Sequence, residues 1–453
     1  MRHIFAGIVL LSLFSGCAHV QEVSNGRDSY AYGVIAERED RIEDAIQHYK
    51  DSIQKAGDDS YLYMKLGNLY LKTRDIPSAK KCFSKALQLT PEKPEALFGL
   101  GVSYLFENNY DQAALYMERG LAIDNENHSI RMLLCDIYAG MNKMEQASGH
   151  YKYLVEVFPE NYLFRYNYGN ILERLGKDGE AEKEYLKSVE LAYFFWKGYF
   201  ALGSLHLKSG KTKEALPYFE KVLSYNPNDY VSYSVLVSTY YSEGNREKVK
   251  YYLEKAIKQG VNQAYFYQLL GIIYIDEKNY EKAEEALQAG ISMEDLSVTD
   301  LSNAQFYMGV LYDKTERREE MEDSMKQAIK LHPDNAMALN YLGYTYLVQD
   351  RNIEEAYRMI KKAYDIEPNN GAFLDSLGWA YYKKGDYQSA QKYLERAAEK
   401  EKDEEVYGHL GHLYLKLEEY EKALLWFVKA HEISGSKETQ KILDEILWKI
   451  LEK

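Results

Sequence analysis

The sequence predicts an all-α solenoid of about twelve helix hairpins that ends in a capping helix. A pattern of apolar and small residues recurs every 34 residues along most of the chain. Within each copy, the spacing of these residues is that of two amphipathic helices. The 453 residues include only 8 prolines and no long Ser/Gly-rich linker, so one continuous array fits better than separate globular domains.

The stretch from Ser60 to Pro91 serves as the template for the other copies. We number the positions of this unit from Ser60 as position 1. The apolar and small residues that recur in the other copies stand at positions 4, 7, 8 and 11 of a first helix and at positions 20, 24 and 27 of a second. They are Tyr63, Leu66, Gly67, Tyr70, Ala79, Phe83 and Ala86. The small residues Gly67 and Ala79 predict that the two helices approach closely. Asp75 is expected to cap the second helix, because the following Pro77 is compatible only with a first turn.

This pattern of residues resembles the tetratricopeptide repeat (TPR) family. The resemblance implies that the array is a right-handed α-solenoid superhelix. It also implies that positions 2, 5, 9 and 12 of each first helix line the concave wall, where such solenoids bind their partners. The helical geometry agrees, since these positions centre on a different side of the helix from the packing stripe.

Eight units follow one another without slippage over residues 26–297. They begin at Gly26, Ser60, Pro94, His128, Tyr162, Trp196, Tyr230 and Ala264. Position 8 is Gly in six of these units, and position 20 is Ala in seven. The seventh unit instead has Val237 and Val249 at the two sites, so we expect its helices to be pushed apart, with reduced stability or altered curvature there.

A register shift of four residues then follows. Residues 298–301 are interpreted as an insertion or joint, and residues 296–302 as a candidate flexure. Units nine to twelve cover residues 302–435 and begin at or near Ser302, Ala336, Gly371 and Glu404. Residues 436–453 are predicted to form one amphipathic helix that covers the exposed apolar face of the last hairpin.

The N-terminus predicts export and lipid attachment. Residues 1–16 contain an apolar run that is too short to span a membrane and fits the core of a signal peptide. The sequence Phe-Ser-Gly-Cys that ends at Cys17 resembles the lipobox of bacterial lipoproteins, which implies cleavage before Cys17 and acylation of that residue. The alternative is an ordinary signal peptide followed by an incidental cysteine.

The residues after the signal peptide extend this interpretation. Residues 17–25 are predicted to form a short polar linker between the lipid and the first hairpin. In the enterobacterial sorting pattern, Ala18 after the cysteine favours the outer membrane. The sequence therefore predicts a lipoprotein of the bacterial cell envelope, held by its lipid anchor to the outer membrane and facing the periplasm.

Composition excludes several classes of function. The 56 basic residues are outnumbered by 70 acidic ones, and no Lys/Arg-dense run occurs, so binding to nucleic acid is not expected. Three cysteines imply no disulfide framework, and Cys82 and Cys135 are interpreted as small core residues.

No catalytic motif is present, and the segments after Asn25 are all assigned to hairpins, joints or the cap, so we expect neither an enzyme nor a cofactor. His409 and His412, with Glu405 one turn earlier, come nearest to a metal motif. Such spacing is common on polar helix faces, and no metal site is predicted.

Position 5 of the first helices predicts a binding wall. In units one to six it holds large side chains, which are Tyr30, Met64, Phe98, Met132, Tyr166 and Phe200. Position 9 adds groups that can bond a peptide backbone, which are Asn68, Asp136, Asn170 and Ser204. We therefore expect a groove for an apolar or aromatic peptide segment. The alternative is that these side chains pack against the next helix and never meet a ligand.

Units ten and eleven offer a second, smaller candidate surface. It consists of Tyr344, Leu347, Trp379 and Tyr382, which would stack on sugar rings or on another chain. Two roles thus remain open. The first is a non-enzymatic, lipid-anchored scaffold that binds peptide segments or subunits of an envelope assembly. The alternative is a TPR lipoprotein of polysaccharide export or secretion, which guides polymer or couples a porin to a synthase.

Overall fold

The computed structural model describes residues 26–294 and 296–451, which form α-helices joined by short turns, with no strand among them. The chain divides into two compact units, one that ends at Asn226 and one that begins at Pro227. Each unit is a stack of helix hairpins. The predicted signal peptide (1–16), the lipidation site Cys17 and the linker (17–25) lie outside the described residues.

The described part of the N-terminal unit contains hairpins 1 to 6, each made of two consecutive helices. These are α1 (Arg27–Arg38) and α2 (Ile42–Ala56), α3 (Ser60–Lys72) and α4 (Ile76–Leu89), α5 (Pro94–Phe106) and α6 (Tyr110–Ile123), α7 (His128–Gly140) and α8 (Met144–Val157), α9 (Tyr162–Arg174) and α10 (Asp178–Leu191), and α11 (Trp196–Lys208) and α12 (Thr212–Tyr225).

The described part of the C-terminal unit contains hairpins 7 to 12 and one further helix. These are α13 (Tyr230–Ser242) and α14 (Arg246–Lys258), α15 (Ala264–Asp276) and α16 (Tyr280–Ile291), α17 (Val298–Lys314) and α18 (Arg318–Leu331), α19 (Ala336–Val348) and α20 (Ile353–Ile366), α21 (Gly371–Lys384) and α22 (Tyr387–Lys400), α23 (Glu404–Lys416) and α24 (Tyr420–Ser434), and α25 (Lys437–Leu451).

The insertion predicted at residues 298–301 is helical, which corrects its interpretation as a joint. These residues form an additional first turn of α17, a helix of 17 residues. The helix begins early because the Ser297 hydroxyl accepts a hydrogen bond from the Asp300 amide at 3.0 Å and so caps it four residues before the repeat pattern restarts. The flexure predicted at residues 296–302 stays a prediction.

Local residue choices explain where helices begin and end. The Asp75 carboxylate accepts a hydrogen bond from the Ser78 amide at 3.2 Å, as predicted for a cap, and Pro77 lies in the first turn of α4. The turn inside each hairpin has a residue with φ between +49° and +81° at repeat position 15, among them Arg74 and Gly210. This left-handed residue reverses the chain in every hairpin, whether or not it is glycine.

Glycine at position 8 permits the close packing of the two helices in a hairpin. A Cβ atom added to Gly67 would lie 2.7 Å from the Phe83 ring, and one added to Gly169 would lie 2.6 Å from the Tyr185 ring. The helices approach less closely in hairpins 4 and 7, where position 8 is Cys135 and Val237. The separation expected in hairpin 7 is therefore observed, with Val237 and Val249 both buried between its helices.

Ion pairs connect neighbouring hairpins along the surface of each unit. In the N-terminal unit, Lys80 bonds Glu107 at 2.8 Å and Lys143 bonds Asp111 at 2.9 Å. Exposed pairs of this kind each contribute about 0–1 kcal/mol. Within the part of the chain that the structure describes, no helix is both long enough and apolar enough to cross a membrane.

Candidate functional site

The position-5 side chains of hairpins 1 to 6 lie in different environments. Met64 is 8% exposed and Phe98 is 0% exposed, so neither is open to a ligand, contrary to the sequence interpretation. Phe98 enters the interior of hairpin 3 because Gly120 on α6 leaves space for it, and a Cβ added there would lie 2.2 Å from the ring. For these two residues, packing within the array is the role that the structure shows.

The other position-5 residues reach the surface to different degrees. Tyr30, Tyr166 and Phe200 are half-buried, and Met132 is 44% exposed. Each of the three half-buried rings packs against the position-24 ring of its own hairpin, at centroid distances of 6.1, 5.8 and 5.8 Å, respectively. Part of each ring is therefore held by the core while the rest remains accessible.

Position 9 supplies polar groups beside these side chains. Asn68 is half-buried. The Asn170 side-chain oxygen lies 3.0 Å from the Tyr185 hydroxyl, whose single hydrogen has the Glu173 carboxylate as a nearer acceptor at 2.8 Å. Asp136 is exposed, yet protein atoms surround its carboxylate and the partial loss of solvation raises its pKa. The sequence interpretation did not include Leu163, an exposed apolar residue at position 2 of α9.

The first helices of hairpins 4 to 6 thus present accessible apolar and polar groups at equivalent repeat positions. We call this surface the hairpin 4–6 face, defined by Met132, Asp136, Leu163, Tyr166, Asn170 and Phe200. Its apolar atoms come from positions 2 and 5, and its hydrogen-bonding groups come from position 9. Such a surface can hold side chains and backbone groups of an extended peptide.

The second predicted surface, in hairpins 10 and 11, is closed by the protein itself. Leu347 is fully buried in the core, which removes it from the surface. Tyr344 is half-buried, and its hydroxyl donates to the Glu405 carboxylate and lies 3.4 Å from His409 Nε2. The Tyr344 side chain therefore belongs to an internal network.

Trp379 of this second surface has both ring faces covered. Its ring stacks on Tyr382 at a centroid distance of 4.5 Å and on His409 at 4.1 Å. Two rings so close to one indole lack the room to lie side by side, so they occupy opposite faces. This arrangement contradicts the expectation that Trp379 offers a free stacking face for sugar rings, and it leaves Tyr382 with one face covered by Trp379.

A cavity of about 590 Å³ lies beside this stack, between α21, α23, α24 and the start of α25. We call it the C-terminal cavity. It is lined by Trp379, Asp403, Glu404, Glu405, Gly408, His409, His412, Phe427, Ala430, Ser436, Glu438, Thr439 and Ile442. The sequence interpretation singled out His409 and His412 but missed the cavity, because α25 closes one wall and its docking position leaves no local sequence signal.

A buried pair supports the wall of the C-terminal cavity. His409 Nδ1 lies 2.8 Å from an Asp375 carboxylate oxygen, and both side chains are only 8% exposed. Burial, together with the neighbouring His409 and Lys383, lowers the pKa of His412. Among the described residues, no three His, Cys, Asp or Glu side chains are grouped so that they could hold a metal ion.

Protein-family models match most of the described helix hairpins. Models of the tetratricopeptide repeat match residues 64–128, 134–192, 196–229, 264–295, 303–335, 347–410 and 404–436. These matches include parts of both compact units and the hairpins that form the two surfaces described above.

Curated relatives share only short segments with this chain. A TPR repeat-containing protein of Pseudomonas aeruginosa is 30% identical over 129 residues, which are 28% of this chain and 21% of that protein. A TPR repeat-containing protein of Methanocaldococcus jannaschii is 40% identical over 57 residues, which are 13% of this chain and 10% of that protein. This chain therefore spans a minor part of the length of either relative.

This chain is also similar to solved structures, at low sequence identity. A chain in the structure of Naa15/Naa10 bound to HypK-THB aligns with 89% of this chain and over 68% of its own length. The identity is 13% and the TM-score is 0.47.

Proposed function

Since this chain belongs to the tetratricopeptide repeat family, whose hairpin arrays serve as protein-interaction scaffolds, we propose that it binds an extended peptide segment of a partner protein on the hairpin 4–6 face. The proposed role is binding and not catalysis. The partner is a protein or a subunit of an assembly in the bacterial cell envelope.

The observation that carries this proposal is the exposed Met132 at the same repeat position as the accessible rings of Tyr166 and Phe200. The core of hairpin 4 does not require an apolar side chain at that place. Asp136 and Asn170 lie one helical turn further along the same helices and supply acceptors for the amide groups of a bound backbone. Alternating apolar and polar contacts of this kind suit an extended chain.

The location of the protein is part of the proposal. We propose that Cys17 is lipidated and that residues 17–25 tether the array to the periplasmic side of the outer membrane. Nine extended residues reach about 30 Å, so the first hairpin would stay close to the bilayer. A Cys17→Ser variant is expected to move from the membrane fraction to the soluble fraction, and retention in the membrane after a salt wash would contradict the anchor.

A role in polysaccharide export, the alternative interpretation, has less support. An aromatic surface that guides a polymer needs ring faces open to sugars. Both faces of Trp379 are covered, and Leu347 is buried. The acidic lining of the C-terminal cavity agrees with a polymer-guiding surface.

Site-specific crosslinking tests the peptide proposal. We would place a photoreactive benzoylphenylalanine at Met132 or at Phe200 in the full-length chain and irradiate intact cells. Leu115 on α6 provides a matched control, because its side chain is exposed on a second helix, outside the hairpin 4–6 face. We expect protein adducts from Met132 and Phe200 but not from Leu115. Equal adducts from all three sites, or adducts with glycan alone, would overturn the proposal.

A further inference from the structure

We propose that His409 is the protonated centre of a pH-sensitive lock, which holds the first helices of hairpins 10, 11 and 12 together and loosens as the pH rises. The histidine lock consists of Tyr344 on α19, Asp375 and Trp379 on α21, and Glu405 and His409 on α23. These residues share none with the hairpin 4–6 face. The lock and the peptide binding proposed there can therefore fail independently.

His409 connects three first helices through its two ring nitrogens. Nδ1 lies 2.8 Å from an Asp375 carboxylate oxygen, and Nε2 lies 3.4 Å from the Tyr344 hydroxyl oxygen. The Tyr344 hydroxyl in turn donates to the Glu405 carboxylate, a residue 61 positions further along the chain. This last contact passes over hairpin 11 and joins hairpins 10 and 12 directly, whereas repeats of a solenoid otherwise depend mainly on their immediate neighbours.

The number of available hydrogens favours a doubly protonated His409. A neutral imidazole carries one hydrogen, and here it is donated from Nδ1 to Asp375. Nε2 and the Glu405 carboxylate would then compete for the single hydrogen of the Tyr344 hydroxyl. A second proton on His409 removes this competition, because Nε2–H donates to the Tyr344 oxygen while Tyr344 donates to Glu405.

The buried carboxylate of Asp375 also favours a cationic His409. Both side chains are buried, and among the described residues His409 is the group that forms an ion pair with Asp375. A buried carboxylate without an opposite charge is costly, and a protonated imidazole compensates it. The Trp379 ring adds to this effect, since its centroid lies 4.1 Å from that of the imidazole, where the face of an indole attracts positive charge.

The anions around His409 come from more than one helix. Asp375 on α21 and Glu405 on α23 belong to the lock itself. Further carboxylates line the adjoining C-terminal cavity at the start of α23 and on α25, and they are Asp403, Glu404 and Glu438. Each of these negative charges favours the protonated form of a neighbouring imidazole.

The cationic groups nearby oppose this effect only weakly. Lys383 on α21 bonds the Asp350 carboxylate at 2.5 Å, which offsets its charge. Burial, followed by the charge of His409, lowers the pKa of His412 on α23. Of the two imidazoles, His412 is therefore the one that stays neutral, and His409 carries the proton.

Loss of that proton opens the lock. With His409 neutral, the Tyr344 hydrogen can serve Nε2 or Glu405 but not both. Glu405 is exposed and can be solvated by water, whereas Nε2 belongs to a buried ring. Tyr344 therefore turns its hydrogen to Nε2, and the contact between hairpins 10 and 12 is lost.

The direction of the pH dependence follows from this change. The folded chain holds the second proton of His409 more firmly than the unfolded chain does, so folding is favoured when that proton is present. The stabilisation is fully present below about pH 6.5, where an ordinary histidine titrates, and it is lost as the pH rises above that range.

Hydrogen exchange of the full-length protein, measured by mass spectrometry, tests the lock. We would compare about pH 6 with about pH 9, on either side of an ordinary histidine titration, and correct for the intrinsic exchange rates. Protection of α19, α21 and α23 is expected to fall at least about tenfold at the higher pH, because a charge-assisted hydrogen bond is lost. Hairpin 2, which contains no histidine, is the internal control and should keep its protection.

Two matched variants assign the effect to one imidazole. His409→Gln keeps a side chain that donates and accepts hydrogen bonds but cannot gain a proton, so protection of the three helices should no longer depend on pH. His412→Gln makes the same substitution three residues further along α23 and should keep the pH dependence of the unmodified protein.

Tyr344→Phe is a second test that keeps the ring and removes only the hydroxyl. That hydroxyl is the hydrogen-bonding link between α19 and the lock. Protection of α19 should become independent of pH, while that of α21 and α23 continues to vary.

Four results would overturn the proposal. They are equal protection of α19, α21 and α23 at the two pH values, greater protection at the higher pH, an unchanged pH dependence in His409→Gln, and an equal loss of pH dependence in His412→Gln. If His409→Gln fails to fold, Tyr344→Phe decides, and an unchanged response of α19 in that variant contradicts the lock.

Discussion

At the residue scale, small side chains fix how closely the helices pack. Position 8 is the clearest case, because the ring or aliphatic group at position 24 lies directly over it. Gly99 shows the same effect between hairpins, since a Cβ added there would lie 2.4 Å from the ring of Phe83, which is fully buried. Gly149 on α8 is the opposite case, with no atom within 4 Å of an added Cβ.

These two glycines give opposite predictions. Gly99→Ala is expected to destabilise hairpins 2 and 3 by about 1–3 kcal/mol, because the Phe83 ring has no space to move. Gly149→Ala should stabilise hairpin 4 by about 0.5–1 kcal/mol, because alanine loses less backbone entropy in a helix and meets no obstacle. Hydrogen exchange of α5 and α8 measures both changes. Stabilisation by Gly99→Ala would contradict the packing argument.

The candidate site could be predicted only in part at this scale. Repeat position correctly placed Met132 and Asp136 on an accessible surface, since helical geometry fixes the direction of those side chains. It failed for Phe98, because burial there depends on Gly120 in another helix, which the first-helix pattern does not include. It also failed for Trp379, whose faces are covered by Tyr382 and by His409 from a different hairpin.

At the scale of the helices, the predicted unit starts lie at or next to the first residues of most first helices. First helices begin at the predicted unit start or one residue after it, as Ser60 and Gly371 illustrate. The agreement follows from the caps, because Asp59 and Asn370 each accept a hydrogen bond from the amide three residues later. The exception is α17, where Ser297 provides an earlier cap than the apolar pattern indicates.

Hairpin 7 is expected to be the less stable neighbour of hairpin 8. Its helix α13 combines several β-branched residues, which have low helix propensity, with buried Val237 and Val249 in a hairpin whose helices approach less closely. We predict that amides of α13 and α14 exchange about tenfold faster than those of α15 and α16, equivalent to about 1.4 kcal/mol in opening free energy. Equal protection of the two hairpins in a mass-spectrometric exchange experiment would refute this expectation.

At the scale of the whole molecule, stability is distributed over many hairpins, each of which depends mainly on its neighbours. The periodic sequence made this architecture predictable. The division into two compact units at Asn226 was not predictable, because Pro227 and Asn228 at that turn resemble the Pro- and Asn-containing turns at Pro159 and Pro333, which lie within a unit.

A single bulky substitution tests this distributed stability. Gly203→Trp would force an indole against Phe219, whose ring lies 2.9 Å from the position of an added Cβ. We expect hairpins 5 and 6 to lose protection from hydrogen exchange, while hairpins 10 to 12, which have their own core clusters, keep it. Gly179→Trp is the control, because an added Cβ at Gly179 has no atom within 4 Å. Uniform loss of protection along the chain would contradict the prediction.

The stack of Trp379 on His409 also has a spectroscopic consequence. Three of the four tryptophans, Trp379, Trp426 and Trp448, lie in hairpins 11 and 12 and in α25, and the fourth, Trp196, lies in the N-terminal unit. The fluorescence of an indole changes when a ring stacked on it moves away. Emission from Trp379 would therefore report whether hairpins 11 and 12 stay packed together at this stack, without an added dye, and its loss in a Trp379→Phe variant would identify the source of the signal.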